Sequence, residues 1–180
     1  ATPKPILLRN YTPPPYLIDA VDLDVSLHPT RTRVLSTLKM RPNPHAKKPG
    51  AALALDGEML ELGAVHLDGA AVDPAAYTLT PDKLTLPRAP ARAFSLAIET
   101  FCNPEANTAL SGLYRSRTIY CTQCEAEGFR RITYYLDRPD VLATFTTRIE
   151  ADLDAAPVLL GNGNLVKHGR LPRGRHFAVW

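Results

Sequence analysis

Cysteine is scarce in this chain of 180 residues: Cys102, Cys121 and Cys124 are the only three. An odd, small number of thiols cannot build the multi-bridge framework of a small secreted domain, so reduced cysteines are expected. Long apolar runs are also missing. Nothing approaches the ~20 residues needed to cross a bilayer as a helix, and the start, Ala1 to Asn10, lacks an apolar core followed by a small-residue cleavage site. A soluble, cytoplasmic protein without a membrane partner is the expectation. Charge of one sign is absent as well. The 21 basic and 18 acidic residues are mixed along the chain, with a formal net charge of +3. No basic run is interleaved with aromatics, so nucleic acid is not an expected partner.

Catalytic signatures are missing in turn. No two of His28, His45, His66, His168 and His176 are four apart, so no helix can present the paired zinc ligands of H-E-x-x-H. There is no G-x-S-x-G elbow, phosphate-binding glycine loop or dinucleotide fingerprint. The expectation is a chain with no catalytic residues and no metal ligands of its own.

What is present reads as one all-β domain. Hydrophobic residues make up 45% and charged residues 22%, close to the globular average. The 17 prolines are spread through the chain, exceeding the usual ~5%, and imply many short elements joined by turns. Val21, Leu23, Val25 and Leu27 alternate with polar residues, the period of a half-buried strand. A second alternating run, Arg33 to Met40, predicts the returning arm of a hairpin, stopped by Arg41-Pro42-Asn43-Pro44. Between Ala51 and Leu86, turn formers at Asp56-Gly57, Asp68-Gly69 and Pro81-Asp82 predict a meander. Phe94 to Ile98 and Phe145 to Ile149 alternate as two further strands. Gly161-Asn162-Gly163, flanked by Pro157 to Leu160 and by Asn164 to Val166, predicts another hairpin, and His176 to Trp180 opens a last strand. The fold expected is an antiparallel β-sandwich or saddle with one long irregular functional loop, about residues 102–140.

That irregular segment holds the residues with chemical promise. Cys121-Thr122-Gln123-Cys124 has the C-x-x-C spacing of zinc or redox sites. It lacks a second ligand pair and a βαβ context, which favours two packed, reduced thiols. Gln123, Glu125 and Glu127 occupy alternate positions, so an extended chain would point all three the same way and offer acceptors to an ammonium group. Solvated glutamates, or a Glu125 that opens a short helix, account for the same residues.

The run from Tyr120 to Ala143, Y-C-T-Q-C-E-A-E-G-F-R-R-I-T-Y-Y-L-D-R-P-D-V-L-A, resembles the amino-terminal domain of the bacterial aminopeptidase N family. Flanking segments agree: Ala106 to Leu110, Gly112 to Tyr114, Leu160 to Asn164 and Gly174 to His176, with Tyr16 to Leu27 similar to the family's first strand; the similarity covers nearly the whole chain, more weakly from Arg41 to Arg92. The resemblance implies a domain, residues 1–180, of a larger gluzincin zinc aminopeptidase whose H-E-x-x-H and G-A-M-E-N motifs belong to a catalytic domain absent here. By the same resemblance, Gln123 and Glu125 form one side of the subsite for the substrate's free α-amine, with Glu127 a secondary candidate and Cys124 a spacer. Peptides are the implied ligands, and the missing catalytic domain is the implied packing partner. No cofactor is expected in this chain, with zinc in the parent enzyme. The chain alone is expected to be inactive. Two alternatives are a stand-alone β-sandwich binding or scaffolding module and a metal-binding module built on the cysteine pair. The apolar end, Phe177 to Trp180, favours a domain boundary over a free terminus.

Overall fold

The computed structural model describes residues 7–46 and 51–180; the reading of the first residues as free of a cleavable leader lies partly outside them. Among the described residues there are thirteen strands: β1 (Tyr16–Ser26), β2 (Thr32–Pro42), β3 (Leu53–Asp56), β4 (Glu61–Leu67), β5 (Ala70–Ala71), β6 (Thr78–Leu79), β7 (Lys83–Leu86), β8 (Phe94–Cys102), β9 (Gly112–Ser116), β10 (Ile119–Gln123), β11 (Thr144–Asp152), β12 (Lys167–Arg170) and β13 (Arg175–Val179). Single 3-10 turns at Leu8–Asn10, Pro74–Ala76 and Phe129–Arg131 are the only helical elements described. The all-β class expected from the sequence is what the chain adopts.

Eight strands make one large sheet in the order β12-β13-β11-β1-β2-β8-β4-β5. The β1–β2 hairpin is antiparallel, with Val21 opposite Leu38 and Val25 opposite Val34. A register shift between Ile18 and Ala20 acts as a bulge that switches the buried parity from Tyr16 and Ile18 to Val21, Leu23 and Val25. β2 and β8 continue the same face with Val34, Leu38, Met40, Phe94, Leu96 and Ile98, all buried. The inner face is thus mainly apolar, interrupted by the buried Thr32, Ser36 and Thr100. Each of the apolar side chains contributes roughly 1.5–3 kcal/mol relative to exposure.

Over that face lies a small sheet in the order β3-β7-β6, which buries Leu53, Leu55, Leu84 and Leu86. The expected meander is therefore corrected in its pairing. Its turns fall at the expected places, but β3 and β7 join the small sheet while β4 and β5 join the large one. β3 and β4 pair elsewhere because their apolar residues face one another across the core. One ladder of the large sheet, β1 with β11, is parallel.

Two further expectations are corrected. Gly161-Asn162-Gly163 makes no hairpin; residues 157–166 form an open strap, and the hairpin is β12–β13. A Cβ on Gly161 would meet Trp180 Cδ1 at 2.8 Å, so this glycine serves close ring packing. Nor is the segment 102–140 wholly irregular. It contains the β9–β10 hairpin, and Ile132, Tyr134, Tyr135 and Leu136 are buried in the core. Tyr135 is stitched to β3 by Asp56 N to Tyr135 O at 2.7 Å and Tyr135 N to Asp56 O at 3.0 Å.

The upper layer stops short of the β1–β11 side of the large sheet. There β10, the inner face of β11 and the strap around Pro157–Gly161 enclose an open, mainly apolar cleft of about 950 Å³. Phe145, 47% exposed, lies in it.

Candidate functional site

The β9–β10 hairpin delivers Gln123 as its last paired residue, opposite Gly112. The chain then turns sharply, Gly128 N donating to Cys124 O at 2.9 Å, and enters the 3-10 turn Phe129–Arg131. The closeness of the turn needs glycine at 128, because a Cβ there would stand 2.4 Å from Gln123 O. The flanking loop is held from the other side by Asn107, whose Nδ2 donates to Ser111 O at 2.7 Å and Leu113 O at 2.9 Å.

Below the turn, arginines lock its far end. Arg130 donates through its backbone N and Nε to Asp137 Oδ2, at 3.1 and 2.9 Å. Arg131 pairs with Glu58 of the β3–β4 connection, whose backbone N also donates to Arg130 O at 2.9 Å. The turn is therefore fixed to two neighbours by charge-assisted bonds, the stronger class of hydrogen bond.

Gln123, Glu125 and Glu127 are all exposed, but they do not form the extended, one-sided row expected. The chain leaves the strand at Cys124, and Glu127 lies at φ 66°. Gln123 Nε2 donates to Glu125 O at 2.9 Å, which fixes the amide and leaves its Oε1 without a partner among the described residues. Glu125 carries a carboxylate that enters no ion pair among the described residues. Glu127 Oε2 instead lies 3.5 Å from Arg130 Nη2, so part of its charge is already compensated. The structure links the Gln123 side chain to the Glu125 backbone and pairs Glu127 with Arg130. The partnership of Gln123 with the Glu125 backbone was invisible in the sequence, because it needs the turn.

The three thiols are free. Burial, with Asp137 adding to it, pushes the Cys124 thiol up, and burial raises Cys102 to about 11. Both therefore favour the protonated form, which is a poor nucleophile and a poor metal ligand. No group of three or more His, Cys, Asp or Glu among the described residues is placed to hold a metal ion. No helix among the described residues is long and apolar enough to cross a membrane. Tyr135 lines the cleft below the turn; it is 5% exposed, and its hydroxyl has no hydrogen-bond partner among the described residues.

Known proteins resemble this chain in sequence and in fold. Aminopeptidase N of Caulobacter vibrioides is 46% identical over 179 residues, 99% of this chain and 20% of that protein. Aminopeptidase N of Escherichia coli is 45% identical over 176 residues, 96% of this chain and 19% of that protein. The crystal structure of Legionella pneumophila aminopeptidase A in complex with aspartic acid superposes with a TM-score of 0.89 at 33% identity, covering 96% of this chain and 20% of that one. The chain thus spans about a fifth of the length of these relatives. Residues 20–180 match the peptidase M1 N-terminal domain, and with these identities this places the chain in that family.

Proposed function

We propose that this chain is the domain of a longer zinc aminopeptidase that holds the α-amine of a peptide's first residue. The carrying observation is the turn after β10, in which Gln123 Nε2 donates to Glu125 O and leaves Gln123 Oε1 and the exposed Glu125 carboxylate without a partner among the described residues. A protonated α-amine has three donors, and a carboxylate with an amide oxygen supplies acceptors of the right kind. Recognition of a free amine explains removal of single residues from peptide N termini, since an internal peptide bond has no ammonium group beside it.

In this reading Gln123 and Glu125 position the substrate and transfer no proton. The zinc ion and its ligands would come from polypeptide outside this chain, so the domain alone is inactive. Free cysteines suit a reducing compartment, and we place the protein in the cytoplasm.

In the longer protein, Glu125→Ala is expected to lower kcat/KM for aminoacyl anilides by ten- to a hundredfold, the scale of about 1.4–3 kcal/mol lost from a charge-assisted contact. Bound zinc, measured by atomic emission, is expected to stay stoichiometric. Unaltered kinetics, or zinc lost with the side chain, would overturn the assignment.

A further inference from the structure

Two arginines, Arg130 and Arg131, follow the candidate turn at once, and a positive charge beside a subsite for an ammonium group weakens that subsite. Each guanidinium is drawn to a carboxylate from outside the turn. Arg130 meets Asp137, whose side chain is 12% exposed, at 2.9 Å, and it also lies 3.5 Å from Glu127. Arg131, with 21% of its side chain exposed, pairs with Glu58, 73 positions away in the β3–β4 connection. Within residues 123–131, Glu125 is left as the one charge that enters no ion pair among the described residues.

Main-chain bonds hold the backbone here independently of the Arg131–Glu58 pair. Residues 56–58 lie along residues 130–135: Glu58 N donates to Arg130 O at 2.9 Å, Asp56 N to Tyr135 O at 2.7 Å and Tyr135 N to Asp56 O at 3.0 Å. Gly57 lets the two segments close, since a Cβ there would collide with the Tyr134 ring. Loss of the Glu58 carboxylate would leave these bonds in place and free the guanidinium alone. Arg131 itself cannot withdraw from the turn. Its backbone N donates to Gly128 O at 3.1 Å, and its Cβ packs on Gly112, where an added Cβ would approach it to 2.5 Å. Gly112 is the residue paired opposite Gln123. A partly exposed ion pair adds little to stability, so the main effect of this one falls on the potential around the turn.

Resting on the reading of Gln123 and Glu125 as the amine subsite, we infer that Glu58 is a positioning residue for that subsite, drawing the Arg131 guanidinium toward the β3–β4 connection and neutralising it. Without Glu58, an uncompensated cation three residues beyond Gly128 competes with the substrate ammonium for the Glu125 carboxylate. Glu58 touches no ligand and acts on the amine only through Arg131. Its effect is therefore confined to ligands that carry a positive charge at the amine.

The test uses the full-length protein and two zinc-binding inhibitors that differ only at the amine, alanine hydroxamate and propionohydroxamate. Glu58→Gln is expected to raise the inhibition constant of alanine hydroxamate about five- to tenfold, the scale of coupling within one ion-pair network, and to leave that of propionohydroxamate within about twofold. The double variant Glu58→Gln/Arg131→Gln is expected to return alanine hydroxamate to within about twofold of the parent, because the competing charge has gone as well. A purely structural role gives another pattern, in which both inhibitors weaken together and the second substitution deepens the loss. That pattern, or alanine hydroxamate binding unmoved by Glu58→Gln, overturns the inference. Glu125→Ala separates this failure from that of the underlying reading. If it leaves alanine hydroxamate binding unchanged, the amine subsite itself is lost; if it weakens binding while Glu58→Gln is silent, only the role of Glu58 is lost.

Discussion

Gly128 decides how tightly the candidate turn closes. A methyl group there would collide with Gln123 O at 2.4 Å, and the other near atoms are Cys124 Cα at 2.9 Å and Ser111 Oγ at 3.0 Å. Two of the three belong to the turn itself, so little can give way. Gly128→Ala is expected to cost about 1–3 kcal/mol, the usual scale of overpacking, read as a lower midpoint in denaturant unfolding. Glu125→Ala, at an exposed position, is expected to stay within about 0.5 kcal/mol of the parent. That contrast separates a residue that shapes the turn from one that meets the ligand. At this scale the sequence was partly legible. Alternation drew attention to positions 123, 125 and 127, but only the left-handed backbone at Glu127 (φ 66°) and the Arg130 pairing remove Glu127 from the group. Neither follows from composition.

Among elements, the strands that bury one full face were plain in the sequence. β1, β2 and β8 alternate cleanly because they lie in the middle of the sheet under the small one. Leu38, fully buried at the centre of β2, is expected to lose about 2–5 kcal/mol on truncation to Ala. Phe145→Ala on β11, already half-exposed, is expected to lose much less in the same chain. Thermal unfolding of both variants checks the ranking. The β9–β10 hairpin escaped notice for a physical reason: it is short, and Arg115, Arg117 and Thr118 around its turn give no apolar period. The strap at residues 157–166 misled in the opposite sense, since its Gly-Asn-Gly imitates a hairpin turn although its two flanks do not pair with each other and the second runs into β12 beside β13. Glycine required for ring packing and glycine required for a turn look alike in one dimension.

The molecule as a whole is laced by ion pairs that set its response to acid. Hydrogen bonds from Arg138 hold the Asp140 carboxyl below the usual carboxylate range, against burial and with help from the Tyr11 hydroxyl. Burial pushes Glu150 up, yet hydrogen bonds from Arg175 and Arg148 outweigh it and leave it below its ordinary value. Carboxylates depressed in the folded state contribute stability that is fully present above their unfolded pKa of about 4 and is lost as pH falls through the lower folded value. Stability is therefore expected to hold from neutral pH to about 4 and to fall below it. Asp140→Asn should flatten part of that fall in acid titrations followed by circular dichroism.

The parallel ladder between β1 and β11 joins the two ends of the chain: Arg148 of β11 bonds to Asp24 of β1 across 124 positions. Parallel neighbours need a long crossover, and here the crossover takes up most of this chain, from Ser26 to Thr144. A chain emerging from the ribosome forms the β1–β2 hairpin early, but the second edge of β1 stays bare until residues 144–152 have been made. Bare edges recruit other strands, and contacts so distant in sequence close slowly. The strand that covers this edge of β1 is thus also its guard against sticking to a neighbouring nascent chain, and it is made only after the long segment between them.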